Sequence, residues 1–134
     1  MRYWLVGLGG LAGSLLRYGV SGLSNNLIGT EPALSVFICN VLGSFILAWL
    51  FVRIADLGRW GETVRLTLGT GLLGSFTTFS ALSTETLGML EREEWMLAFI
   101  FIAVSFVGGW LAAWLGWRLG QATSEVADKG EAEL

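Results

Sequence analysis

Charged residues divide this chain into four long runs that carry almost none of them. The first covers about residues 3–23 and is interrupted only by Arg17; the second, about 33–52, has no charge at all. The third begins near residue 66, meets its first acid at Glu85 and extends to about 90; the fourth, about 95–118, is uncharged until Arg118. A helix needs about 20 residues to cross roughly 30 Å of hydrocarbon, so each run is long enough to span a bilayer. The connections, 24–32, 53–65 and 91–94, leave no room for a soluble domain. The pattern therefore predicts an all-α membrane protein: a four-helix transmembrane domain over residues 1–120, then a polar, acidic tail over 121–134. In that tail Glu125, Asp128, Glu131 and Glu133 face a single Lys129.

Composition supports this reading. Of 134 residues, 54% are hydrophobic and only 14% charged, and the mean hydropathy is +0.66, too apolar for a soluble domain of this size. The eight Lys and Arg are scattered, so no basic surface for nucleic acid forms. With no His and one Cys, His/Cys metal sites, Ser-His or Cys-His catalysis and internal disulfides are excluded, and Cys39 reads as a small buried apolar residue. An intramembrane enzyme would lack its residues. Arg2 and the apolar run behind it imitate a signal peptide, but no small-x-small cleavage site follows before Arg17, so the run is read as a retained first span.

Two further patterns set the arrangement. Gly9 and Gly13, and then Gly108, Ala112, Gly116 and Gly120, form small-residue stripes at four-residue intervals, which let helices pack closely in lipid. Trp4, Trp60, Trp95, Trp114 and Trp117 fall near span ends, as an interfacial aromatic belt requires. With four spans, Arg2, Arg53, Arg59, Arg65, Arg118 and Lys129 share one side, against Arg92 and at most Arg17 on the other. That bias predicts both termini in the cytoplasm.

The residues 71–80, Gly-Leu-Leu-Gly-Ser-Phe-Thr-Thr-Phe-Ser, do not suit a lipid-facing helix. Glycine lowers helix propensity, and hydroxyls compete for backbone hydrogen bonds. Backbone that leaves the helix at bilayer depth survives only inside protein or beside a watery cavity, and such breaks bind ions through freed carbonyls and amides. The third span is therefore expected to be broken in mid-membrane, although an unbroken, tightly packed glycine helix fits the same composition. Asn40, in an apolar span, needs a partner or a ligand; Arg17 faces a bundle interior or a vestibule or snorkels outward, and Glu85, at the end of its span, has a similar choice.

Taken together, Gly9-Gly10-x-x-Gly13-x-x-x-Arg17-Tyr18, Asn40-x-x-Gly43-Ser44 and Gly71-x-x-Gly74-x-x-Thr77-Thr78-Phe79-Ser80 resemble the Fluc (CrcB) family of fluoride channels, in order and over nearly the whole chain. The resemblance implies a channel that exports fluoride from the cytoplasm to reduce its toxicity, built as an antiparallel dimer with two pores in the plasma or inner membrane. It further implies a structural Na⁺ held by backbone carbonyls at Gly74 and Thr77. The fluoride pathway would comprise an amide donor at Asn40, a phenylalanine pair beginning at Phe79, and hydroxyls at Thr78, Ser80 and Ser83, with Arg17 at a vestibule and Glu85 near a pore end. Fluoride is small and strongly hydrated, so a selective pore must replace its water with donors, and a phenyl edge offers positive C–H groups without a trapping charge.

This chain departs from the family pattern in three ways. The second phenylalanine of the pair is Leu82, and the fourth-span hydroxyl track thins to Gly109 and Ala113 after Ser105. An antiparallel homodimer needs dual topology, yet Lys and Arg lie six against at most two. The partner is therefore either a second copy or a homologous subunit inserted the other way. The rival readings are a small multidrug-resistance-type transporter, which would need a carboxylate in the first span where there is none, and a non-conducting partner subunit of a channel.

Overall fold

A computed structural model describes residues 2–28, 32–54 and 61–132, with side chains described over 3–24, 32–54 and 61–122. Every described element is helical. In chain order they are α1 (Arg2–Ile28), α2 (Pro32–Ile54), α3 (Gly61–Val64), a π-helical segment (Arg65–Leu73), α4 (Gly74–Phe76), α5 (Phe79–Glu91) and α6 (Trp95–Ala132). Trp60 and Arg59, used above for the aromatic belt and the charge bias, lie outside the described residues.

Several boundaries differ from the sequence expectation. Helix α1 runs on to Ile28 because no proline or glycine follows Gly22 before Gly29. Helix α2 begins at Pro32, where a fixed φ and a missing N–H cost nothing. Helix α6 passes straight through the region expected to be a tail, reaching Ala132. At 1.5 Å per residue its 38 residues are about 57 Å long, well beyond the hydrocarbon thickness of about 30 Å.

The reversal between α5 and α6 takes only three residues. The Glu94 amide donates to the Met89 carbonyl at 2.9 Å and the Glu93 amide to Leu90 at 3.0 Å, the paired bonds of a Schellman turn. Glu93 occupies its left-handed position at φ 61°, where glycine is usual, and Arg92 Nε holds Glu94 Oε2 at 3.1 Å. Beneath this turn Ala33, Met89 and Ala98 form a small buried cluster, with Leu90 and Phe101 against it.

Small residues decide the packing. Helix α2 lies mainly along α6 and α1 mainly along the π segment. Gly116 lets α6 approach the Phe45 carbonyl, and a Cβ at Gly120 would meet Val52 Cβ at 2.8 Å. Gly9 and Gly13 of α1 lie directly over the carbonyls of Thr67 and Leu72. Both glycine stripes are thus packing surfaces, as their spacing implies. Little else is covered: Leu8, Leu15, Phe99, Phe106 and Trp110 all stand exposed. Two helical stretches, Pro32–Ile54 and Trp95–Ala122, are long and apolar enough to cross a bilayer.

Candidate ion site at the helix interruption

Two adjacent threonines end one helix and start the next. Thr77 and Thr78 have extended backbones, φ −77°, ψ 153° and φ −152°, ψ 121°, between α4 and α5. The Thr77 amide (3.0 Å) and hydroxyl (2.9 Å) both donate to the Leu73 carbonyl, closing the first half. The Thr78 hydroxyl then accepts from the Ala81 amide at 3.2 Å, an N-cap on α5. The repeated Thr therefore has two distinct jobs, one at each helix end.

Asn40 of α2 clamps the gap between them. Its Oδ1 accepts the Thr78 amide at 2.7 Å and its Nδ2 donates to the Thr78 carbonyl at 3.1 Å. A continuous α-helix would send the Thr78 amide to the Gly74 carbonyl four residues back. Here that donor is diverted to a side chain. Gly43, one turn beyond Asn40, makes the approach possible, because any Cβ there would strike the Thr77 side chain. The spacing Asn40-x-x-Gly43 is thus a contact surface for the interruption.

Three clefts meet around this point. The first, about 360 Å³, is lined by Asn40, Ser44, Leu47, Gly74, Thr77, Thr78, Phe79 and Leu82. The second, about 420 Å³, brings Arg17 and Glu85 together with Ser14, Tyr18, Ser21, Ser35, Cys39 and Thr78. The third, about 370 Å³, holds Ser83 with Phe79 and Leu82. Thr78 lines both the first and second clefts, and Phe79 and Leu82 line both the first and third. Of the sequence-derived site residues, only Ser80 lines none of the three, although its hydroxyl lies 3.1 Å from Thr78 Oγ1.

Hydroxyl protons are less available than the sequence suggests. Ser83 spends its donor on the Phe79 carbonyl at 3.0 Å, Thr84 on Ser80 at 3.0 Å and Thr86 on Leu82 at 2.8 Å. In the Thr78–Ser80 pair one proton bridges the two oxygens, so one O–H is left over. Asn40 likewise has one N–H beyond its bond to Thr78. Phe79 presents its ring almost bare, at 81% exposure, whereas Phe76 is buried at 7%. Ser105 Oγ and Thr67 Oγ1 are buried with no hydrogen-bond partner among the described residues.

Sequence reasoning missed part of the second cleft. Ser14, Arg17, Tyr18 and Ser21 recur at one helical face of α1, and Ser21 reaches Ser35 of α2 at 3.4 Å. That i, i+3, i+4, i+7 spacing was the available signal. It was hidden because serine also serves helix packing.

The backbone oxygens at the interruption are of the kind a hard cation takes. They are neutral backbone oxygens, at Gly74, whose helical donor is diverted, and at Thr77, in an extended stretch. No group of three or more His, Cys, Asp or Glu that could hold a metal occurs among the described residues.

Comparison with known proteins adds an independent line. Residues 4–117 match the family model described as CrcB-like protein, Camphor Resistance (CrcB). A protein named fluoride-specific ion channel FluC, from Thermus thermophilus strain ATCC 27634, is 44% identical over 121 residues, covering 90% of this chain and 96% of that one. Fluoride-specific ion channel FluC 1 of Bacillus anthracis is 38% identical over 118 residues, 88% of this chain and 86% of its own length. FluC 2 of Geobacillus kaustophilus is 37% identical over 122 residues, 90% and 94% of the two chains. A match that spans the interruption, the Asn40 clamp and all three clefts leaves one assignment: this chain belongs to the CrcB family of membrane proteins.

Proposed function

We propose that this chain is a subunit of a fluoride-selective channel that exports fluoride from the cytoplasm. One observation carries the reading: Asn40, Gly74, Thr77, Thr78, Phe79 and Leu82, drawn from two separate regions of the sequence, converge on a single cleft open at the subunit surface. A narrow anion path needs donors without a full positive charge. The spare N–H of Asn40, the spare hydroxyl of Thr78 and Ser80, and the exposed edge of Phe79 supply them.

In this reading the chain crosses the membrane four times with the interruption at bilayer depth, and both termini face the cytoplasm. The open cleft and bare Phe79 are completed by a second subunit in the opposite orientation, giving two pores. The Lys and Arg distribution favours a single orientation, hence a homologous partner over a second copy. When bound, Na⁺ at the Gly74 and Thr77 carbonyls would supply a fixed positive charge that offsets anion repulsion without a carboxylate. Arg17 and Glu85 form the mouth of the path in the second cleft, where the guanidinium raises the local anion concentration. Membership of the CrcB family, with no acid in the first span, sets the multidrug-transporter reading aside.

Growth on fluoride tests the export role. Bacteria lacking their own fluoride exporter should regain resistance when they express this chain with a homologous subunit. Membrane-inserted protein that leaves fluoride sensitivity unchanged would refute it.

A further inference from the structure

The amide group of Asn40 has two polar atoms, and both are bonded to the backbone of one residue, Thr78. A residue whose only task was to donate to a passing anion would keep its carboxamide turned to the path. Instead its oxygen takes the Thr78 N–H that regular helix geometry assigns to the Gly74 carbonyl, and its nitrogen takes the Thr78 carbonyl. We infer that Asn40 is a positioning residue for the cation site: by holding both polar atoms of Thr78, it keeps the Gly74 carbonyl free of its helical donor and available to Na⁺.

This inference rests on the proposed cation site at Gly74 and Thr77, and it predicts a coupling that an anion donor alone does not have. Without the clamp, Thr77 can rotate from its extended ψ of 153° to the helical region and return the Thr78 amide to the Gly74 carbonyl, so a cation must first break that bond. One net hydrogen bond corresponds to about a tenfold change in affinity. Gly43 would still permit the close approach of α2, so the fold around the interruption has no other reason to change.

The test separates sodium binding from conduction. Thermal stability of the purified protein, with its partner subunit where one is required, is measured against Na⁺ concentration, with N-methylglucamine as the replacement cation. Fluoride efflux is recorded in parallel. In Asn40→Leu, which removes both bonds, the Na⁺ concentration for half-maximal stabilisation should rise about tenfold or more. If that variant does not fold, Asn40→Ser replaces it, because a serine oxygen cannot reach both atoms of Thr78 and should shift the midpoint in the same direction. In Asn40→Asp the carboxylate still accepts the Thr78 amide but cannot donate to the Thr78 carbonyl, so the sodium midpoint should shift less than in Asn40→Leu while fluoride efflux is lost to charge repulsion. An unchanged sodium midpoint in Asn40→Leu or Asn40→Ser, with efflux lost, would make Asn40 an anion donor only and overturn the inference. Wild-type protein that conducts fluoride with no sodium response would overturn the cation site and the clamp together. Wild-type protein that responds to sodium but conducts no fluoride would fault the channel reading and leave the clamp to be decided by the variants.

Discussion

Gly71 is the position where a single methyl group should most clearly separate the packing of this chain from its helix propensities. A Cβ there would lie 2.6 Å from the Val6 carbonyl oxygen, 3.2 Å from Gly9 Cα and 3.3 Å from the Gly10 amide nitrogen. All three atoms are backbone, so no flexible side chain can yield, and α1 must move away from the π segment by several tenths of an ångström. Overpacking of this kind costs about 1–3 kcal/mol, and the rigid backbone contacts place it toward the upper end. Replacing glycine with alanine in a helix returns up to about 1 kcal/mol of propensity, so Gly71→Ala should lose about 1–2 kcal/mol net. Gly69, two residues earlier in the same segment, is the control. Its Cβ would meet Leu47 Cδ1 at 3.6 Å, an ordinary contact, so Gly69→Ala keeps the propensity gain without the clash. Unfolding in detergent, followed by fluorescence of the seven tryptophans, should place Gly69→Ala at or above wild type and Gly71→Ala clearly below it. Equal stability of the two variants would show that α1 and the π segment are not in close backbone contact.

Three other outcomes follow from the geometry. Ser75 Oγ donates to the Gly10 carbonyl at 2.7 Å, so Ser75→Ala should lose about 1 kcal/mol of stability but keep fluoride over chloride selectivity; altered selectivity at unchanged stability would contradict this. Phe79→Ile should reduce fluoride throughput by removing the exposed ring edge, and Leu82→Phe, which restores a ring beside it in both clefts, should preserve or raise it; wild-type rates in Phe79→Ile would show that the pore register is wrong. Glu93 holds a left-handed backbone conformation at φ 61°, so Glu93→Gly should stabilise the turn by about 1 kcal/mol, and a lower melting temperature would refute that reading.

The sequence carried most of this architecture because bilayer-length apolar runs and small-residue stripes report directly on helices and their contacts. Gly9, Gly13 and Gly116 lie against the backbone of a neighbouring helix, and Gly120 against the Val52 side chain. The hydroxyl-rich decapeptide marked a place where the chain leaves the helix, but not how. That required seeing Asn40, 38 residues earlier, reach Thr78, a contact that no local propensity encodes. Nor did composition reveal that Ser83 spends its proton on its own helix, since i−4 bonding and solvent-facing serines share one sequence pattern. The π-helical geometry of Arg65–Leu73 was likewise invisible: its glycines lower helix propensity whichever helical hydrogen-bond register is adopted.

The most direct test of fluoride conduction is efflux from liposomes, recorded with fluoride and chloride electrodes, for this purified chain alone and together with a homologous subunit. Rapid loss of fluoride with chloride retained is the predicted result, with the full rate reached in the presence of the homologous subunit. Folded protein that releases no fluoride in either preparation, or that releases both ions together, would contradict a selective path through the Asn40–Phe79 cleft.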